Sequence, residues 1–195
     1  MRVLRISGLV LMVLSLGVGI SYAQTAKECY DKGIEYGSQG RFEEVEEEFK
    51  KALKIDQFYV PAEAGLKIIE DVLEKRVKNE FAIHLFKGAA YDSKGMFDEA
   101  IAECKKAIAI NPNYAEAHTN LGLAYGDKGM FDEAIAECKK AIAINPNYAK
   151  AHNNLAVVYY EQGQYDLAIK HCDKAIELGG KVHPEFLEAL KPYRK

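Results

Sequence analysis

The sequence predicts an all-α solenoid of stacked helix pairs, and three observations carry that prediction. Lys94–Ala115, KGMFDEAIAECKKAIAINPNYA, recurs letter for letter as Lys128–Ala149, an offset of 34 residues. Self-similarity at a fixed period marks stacked repeats rather than a globule around one closed core. The same period finds weaker copies on both sides, so that units at 26–59, 81–114, 115–148 and 149–182 bring like residues into register. The chain is also rich in Ala, Glu, Lys, Leu and Ile, with no Ser/Pro/Gly linker to divide it.

Each column of the repeat has a physical task. Gly33, Gly88, Gly122 and Ala156 share one column, and Val45, Ala100, Ala134 and Ala168 another. Small side chains there let two helix backbones approach closely. Tyr36, Tyr91, Tyr125 and Tyr159, with Phe42, Phe97, Phe131 and Tyr165, supply large rings between stacked helices. Gly40, Gly95, Gly129 and Gly163 fall where a left-handed residue ends the first helix of each pair. Glu43, Asp98, Asp132 and Asp166 follow three residues later and suit the positive start of the second helix. Pro112 and Pro146 close their units, and Asn113 with Glu116 has the spacing of a capping box.

A 34-residue helix–turn–helix with these columns resembles the tetratricopeptide repeat family. The resemblance covers 26–182 apart from one insertion, and it departs from the family pattern in places. Cys29, His84, His118 and His152 stand where an aromatic residue is usual, and Gln57 stands in the proline column. What the resemblance implies is a right-handed superhelical solenoid with a C-terminal capping helix and a concave, ligand-binding face lined by the first helices.

Taken in order, the chain begins with an address. Arg2 and Arg5 precede an apolar or small stretch from Ile6 to Ile20, and Ser21-Tyr22-Ala23 has the small-x-small pattern of a signal-peptidase site. Residues 1–23 therefore read as a signal peptide, and residues 24–195 as a domain exported to the periplasm or secreted, with no membrane attachment after cleavage. The alternative is an uncleaved anchor, for which the stretch is short of the roughly 20 residues that span a bilayer. Cleavage removes two of the 26 basic residues and no acid, leaving 24 against 29. With no basic run, this balance argues against a nucleic-acid partner.

Residues 60–80 lie outside the period as a helical insertion. No Gly or Pro occurs from Leu66 to Lys87, and Leu66, Ile69, Leu73 and Val77 recur at helical spacing. Stacked helix pairs alternate direction, so one extra helix would reverse the next unit. A single long helix over 62–93, whose second half opens the 81–114 unit, keeps the direction; a break near Lys78-Asn79 is the alternative. The apolar stripe at 66–77 either packs on the first repeat or is the place where two copies would pair as a homo-oligomer. Residues 183–195, with Pro184 followed by Phe186, Leu187 and Leu190, read as the capping helix.

Four cysteines and a histidine column are the candidates for chemistry. Cys104, Cys138 and Cys172 share a column of the second helix, where neighbouring copies should lie about 9–10 Å apart, beyond the roughly 7 Å Cα reach of a disulfide. They read as core residues. His84, His118 and His152 point the same way one repeat apart, and no His-x-x-x-His, Cys-x-x-Cys or Cys-x-x-Cys-His occurs. No metal and no cofactor is expected, a metal- or haem-binding protein being the alternative from another class. No catalytic constellation stands out, and the Glu43–Glu48 acidic run reads as a solvated helix face.

Surface remains. The family's groove positions fall here on Tyr30 and Ile34, on Leu85 and Ala89, on Thr119 and Leu123, and on Asn153, Val157 and Tyr160, with Asn120 and Asn154 one place further along their helices. The resemblance thus implies a non-enzymatic scaffold whose ligand is a protein or peptide segment. A lysine/asparagine clamp for a terminal carboxylate is not expected, because Leu85 and Ala89 stand where it needs basic residues.

Overall fold

The computed structural model describes residues 25–56 and 59–194, so the expected signal peptide and Gln57 lie outside the described residues. Among the described residues ten α-helices follow one another: α1 (Ala26–Ser38), α2 (Phe42–Ile55), α3 (Val60–Leu73), α4 (Asn79–Ser93), α5 (Phe97–Ile110), α6 (Ala115–Asp127), α7 (Phe131–Ile144), α8 (Ala149–Glu161), α9 (Tyr165–Glu177) and α10 (Pro184–Leu190). A 3-10 turn, Lys191–Tyr193, closes the described chain. No described residue lies in a strand.

From α4 onward, antiparallel pairs stack as a solenoid. The turn glycines sit at φ 75° (Gly95), 83° (Gly129) and 73° (Gly163), a conformation that costs a residue with a Cβ about 1 kcal/mol or more. Behind the first two of these turns, the cysteine of the second helix fills the space that a glycine of the first leaves open. A Cβ at Gly88 would lie 2.7 Å from Cys104 Sγ, and one at Gly122 would lie 2.9 Å from Cys138 Sγ. All four cysteines are buried and unbridged. Between units, the first helix packs mainly on the second helix of the unit before it, α6 on α5 and α8 on α7.

The front of the molecule departs from this scheme. No long helix spans 62–93. Instead α3 ends at Leu73, a turn follows, and α4 begins at Asn79. Lys75 adopts φ 57° with neither Gly nor Asn to mark it, and the Asp71 carbonyl accepts from the Arg76 and Val77 amides while the Arg76 guanidinium reaches the Asp71 carboxylate at 2.7 Å. The expectation of a continuous helix assumed that each new helix packs on the one before. Here α3 packs on α2, where a next unit would begin, and α4 packs on α1 instead.

That rearrangement is built on rings and small residues. Phe49, in the column of the cysteines, is fully buried between α1 and α3: a Cβ at Gly33 would meet it at 2.5 Å and one at Gly65 at 2.2 Å. Phe86 of α4 seats over Gly37 of α1, whose added Cβ would lie 2.4 Å from the ring, and its ring contacts Phe42 and Phe49 at 6.5 and 6.1 Å. The insertion stripe is thereby absorbed for the most part. Ile69 is buried, Leu66 and Val77 pack against the same core, and Leu73 stays 57% exposed.

The Asn113–Glu116 capping box does not form. Tyr114 is the N-cap of α6 with no side-chain bond to the helix start, and Glu116 is drawn to the Lys150 ammonium at 2.5 Å. The capping box that does form is Thr25–Glu28 at α1. At the far end, Phe186 and Leu190 of α10 are buried against the last unit.

Candidate functional site

The residues expected along the groove separate into three groups. Tyr30, Ile34 and Leu85 are consumed by the front-end core. Ile34 and Leu85 are buried, and Tyr30 stacks on Phe49 at 5.3 Å and meets Tyr59 edge-on at 5.5 Å. Ala89 packs against the same cluster. Thr119 is buried as well, its hydroxyl donating to the Ala115 carbonyl at 2.9 Å. Tyr160 lies under the C-terminal tail, in ring contact with Phe186 at 5.6 Å and Tyr193 at 6.3 Å.

The rest face α6 and α8 together. Leu123 is 39% exposed, and Asn120, Asn153, Asn154 and Val157 are half-buried. Two amide atoms there, Asn153 Oδ1 and Asn154 Nδ2, are buried without a hydrogen-bond partner. Lys150 crosses from α8 to α6, donating to Glu116 at 2.5 Å and to Asn120 Oδ1 at 3.4 Å. Burial works to lower the Lys150 ammonium, but Glu116 and Tyr30 hold it above its ordinary value, so the charge persists. Glu116 was expected at a helix cap and not here; its partner stands one repeat, 34 residues, further on.

Beside this face lies a cavity of about 1080 Å³. One wall is α3, through Leu66, Ile69 and Leu73. The other is formed by three successive repeat junctions, 113–116, 144–150 and 178–181, so Asn113, Asn147, Asn153 and Tyr148 lie along it. Three ion pairs join lining residues to each other: Glu63 reaches Lys181 at 3.3 Å, Glu46 holds Lys50 at 2.5 Å, and Glu116 holds Lys150, while Asp71 and Glu74 of the lining pair with Arg76. The sequence places neither wall, because α3 reaches the junctions only through the exchange of partners at α1 and α4.

Two carboxyls, Asp92 near the end of α4 and Asp127 at the end of α6, lie close to each other. Burial, with Asp127 close by, pushes the Asp92 carboxyl up to about 7. Its Oδ1 is buried without a partner.

The histidine column makes no ladder; each ring turns to the second helix of its own unit. His84 Nδ1 lies 2.6 Å from Glu103 Oε2, and His118 Nδ1 2.7 Å from Glu137 Oε2. The other carboxylate oxygen accepts from Lys106 or Lys140, at 2.6 and 2.7 Å. Burial raises the Glu103 carboxyl, yet the bonds from Lys106 and His84 together hold it below the usual range. Among the described residues no three His, Cys, Asp or Glu side chains gather where they could hold a metal ion. Likewise among them, no helix is long and apolar enough to cross a membrane.

Stacked helix pairs with a grooved, preorganised face and an adjoining cavity define a helical-repeat scaffold, a class whose members act as interaction modules. Comparison with known proteins specifies which. Models of the tetratricopeptide repeat match 26–59, 88–129, 125–163 and 149–179, and the chain belongs to that family. No protein of curated function matches it in sequence. The TPR2B domain of yeast Sti1, solved in a complex named with pHsp70, is similar at 26% identity and TM-score 0.50, over 52% of this chain and 81% of that one. The Sgt2 TPR domain from Aspergillus fumigatus is similar in fold at 24% identity and TM-score 0.57, over 60% of this chain and 80% of its own. MamA from Desulfovibrio magneticus RS-1 shares the fold at 22% identity and TM-score 0.50, over 80% and 77% of the two chains. Membership of this family makes the protein a protein–protein interaction scaffold.

Proposed function

We propose that this scaffold is non-enzymatic, is exported to the cell envelope, and binds a peptide or protein segment on the concave face of its first helices. The open part of that face is Asn120, Leu123, Asn153, Asn154 and Val157, and the cavity beneath α3 continues it. The observation that carries the reading is the cavity itself, which runs past three repeat junctions with amide side chains along it. Amides suit the backbone of an extended segment, and Leu66, Ile69 and Leu73 on the α3 wall suit its apolar side chains. Rigid stacked helices hold these contacts in place, so little ordering entropy is lost on binding. The likeness to the Sti1 domain, solved with a bound partner, supports the same reading.

In-cell photo-crosslinking tests it, with the probe at Leu123, at Asn147 or, as control, at Lys139 on the outer helix α7. Discrete adducts from Leu123 and Asn147, absent from Lys139, are expected. Adducts from Lys139 alone, or none at any position, would sink the proposal.

A further inference from the structure

Unit 4 differs from units 2 and 3 at one polar contact. His152 stands where His84 and His118 stand, but the carboxylate opposite is replaced by His171, with the Nδ1 atoms 3.1 Å apart and the rings stacked at 5.3 Å. His152 Nε2 faces the Pro146 carbonyl at 3.4 Å, which assigns its proton to that side and leaves Nδ1 to accept from the Nδ1–H of His171. The neutral pair is therefore satisfied. A proton added at His152 Nδ1 sets two N–H groups head to head.

The surroundings do not relieve that conflict. Lys139 of α7 and Lys170 of α9 act on His171, and Lys174 of α9 acts on His152, all in the sense that opposes a further positive charge. Tyr159 stacks on His171 at 5.7 Å and offers no counter-charge. The same lysines disfavour a bound cation. In units 2 and 3, by contrast, a proton arriving on the imidazole meets a carboxylate.

We propose that the His152–His171 pair is an acid-sensitive latch: protonation drives the two rings apart, and α8 and α9 separate at the C-terminal end of the solenoid while units 2 and 3 stay closed. Burial, then His152 and the lysines, push His171 down to about 4, and burial lowers His152 too. A histidine lowered in the folded state stabilises above its ordinary value near 6.5 and loses that contribution as pH falls toward about 4. Because α8 carries Asn153 and Val157, opening also dismantles this end of the binding face; that consequence rests on the function proposed above, whereas the latch does not.

Hydrogen–deuterium exchange on the full chain, corrected for intrinsic rates, tests the latch without any ligand. Between pH 7.5 and pH 5, protection of the amides in 165–177 should fall about tenfold or more, His171 alone allowing about 30-fold by proton linkage. His171→Glu restores the arrangement of unit 3, with Lys174 placed as Lys140 is, and should keep its protection at pH 5. Glu137→His should extend the sensitivity to α6 and α7. Equal protection at both pH values in the parent overturns the latch, as does an equal loss in His171→Glu.

Discussion

The first helix pair and the three units behind it share a 34-residue frame but fill it with side chains of different size. Where Cys104 and Cys138 fit against a single glycine, Phe49 overfills the pair and needs a second gap, which Gly65 of α3 provides. A larger knob therefore recruits a third helix. Once α3 has taken the place beside α2, α4 turns its Phe86 to α1, and the positions that would line a groove at the front become core. A repeat column is thus a place and not a strength: the same site gives a thin, regular stack with a thiol and a three-helix cluster with a ring.

Three predictions break or sharpen this contrast, the largest first. Phe49→Ala should cost about 3–5 kcal/mol, because it empties a cavity shared by three helices. Cys138→Ala, in the same column, should cost about 1 kcal/mol. Urea unfolding at equal m-value separates the two, and equal losses would mean that the front end and the stack are energetically alike.

Asp92→Asn follows. A carboxyl raised to about 7 in the folded protein favours folding below its ordinary value of 3.8, and that contribution is lost as pH rises through 7. The asparagine variant should match the parent near pH 4 and exceed it at pH 8, by roughly 1–2 kcal/mol once screening is allowed for. Thermal unfolding across that range reads the difference, and parallel pH curves would refute it. The smallest effect is at the strap. Glu63→Ala removes an ion pair with Lys181 whose side chains are 63% and 39% exposed, and should cost under about 1 kcal/mol, vanishing in high salt.

Much of the stack was legible in the sequence because its signals are local. Gly95, Gly129 and Gly163 sit at positive φ, where their spacing puts a helix stop, and the cysteines lie in the core. The candidate site was less legible. Leu123 and Asn153 remain on an open face, but Leu85, Ile34 and Thr119 occupy the expected groove column and are buried. A column shows which way a side chain leaves its own helix and not what packs there. The turn at Glu74–Lys78 was hidden for a related reason: Lys75 carries no glycine signature, and the bonds that hold it come from Asp71 and Arg76.

By itself, then, the sequence determined the helix pairs, their period and the family, since each rests on contacts within about one repeat. Only the tertiary structure decided that α4 packs on α1, that α3 walls a cavity against junctions as far as 118 residues away, as between Glu63 and Lys181, and that His171 faces His152. The first two turn on how far a phenylalanine reaches and which gap admits it. That is a matter of packed volume, and a repeat period does not encode it.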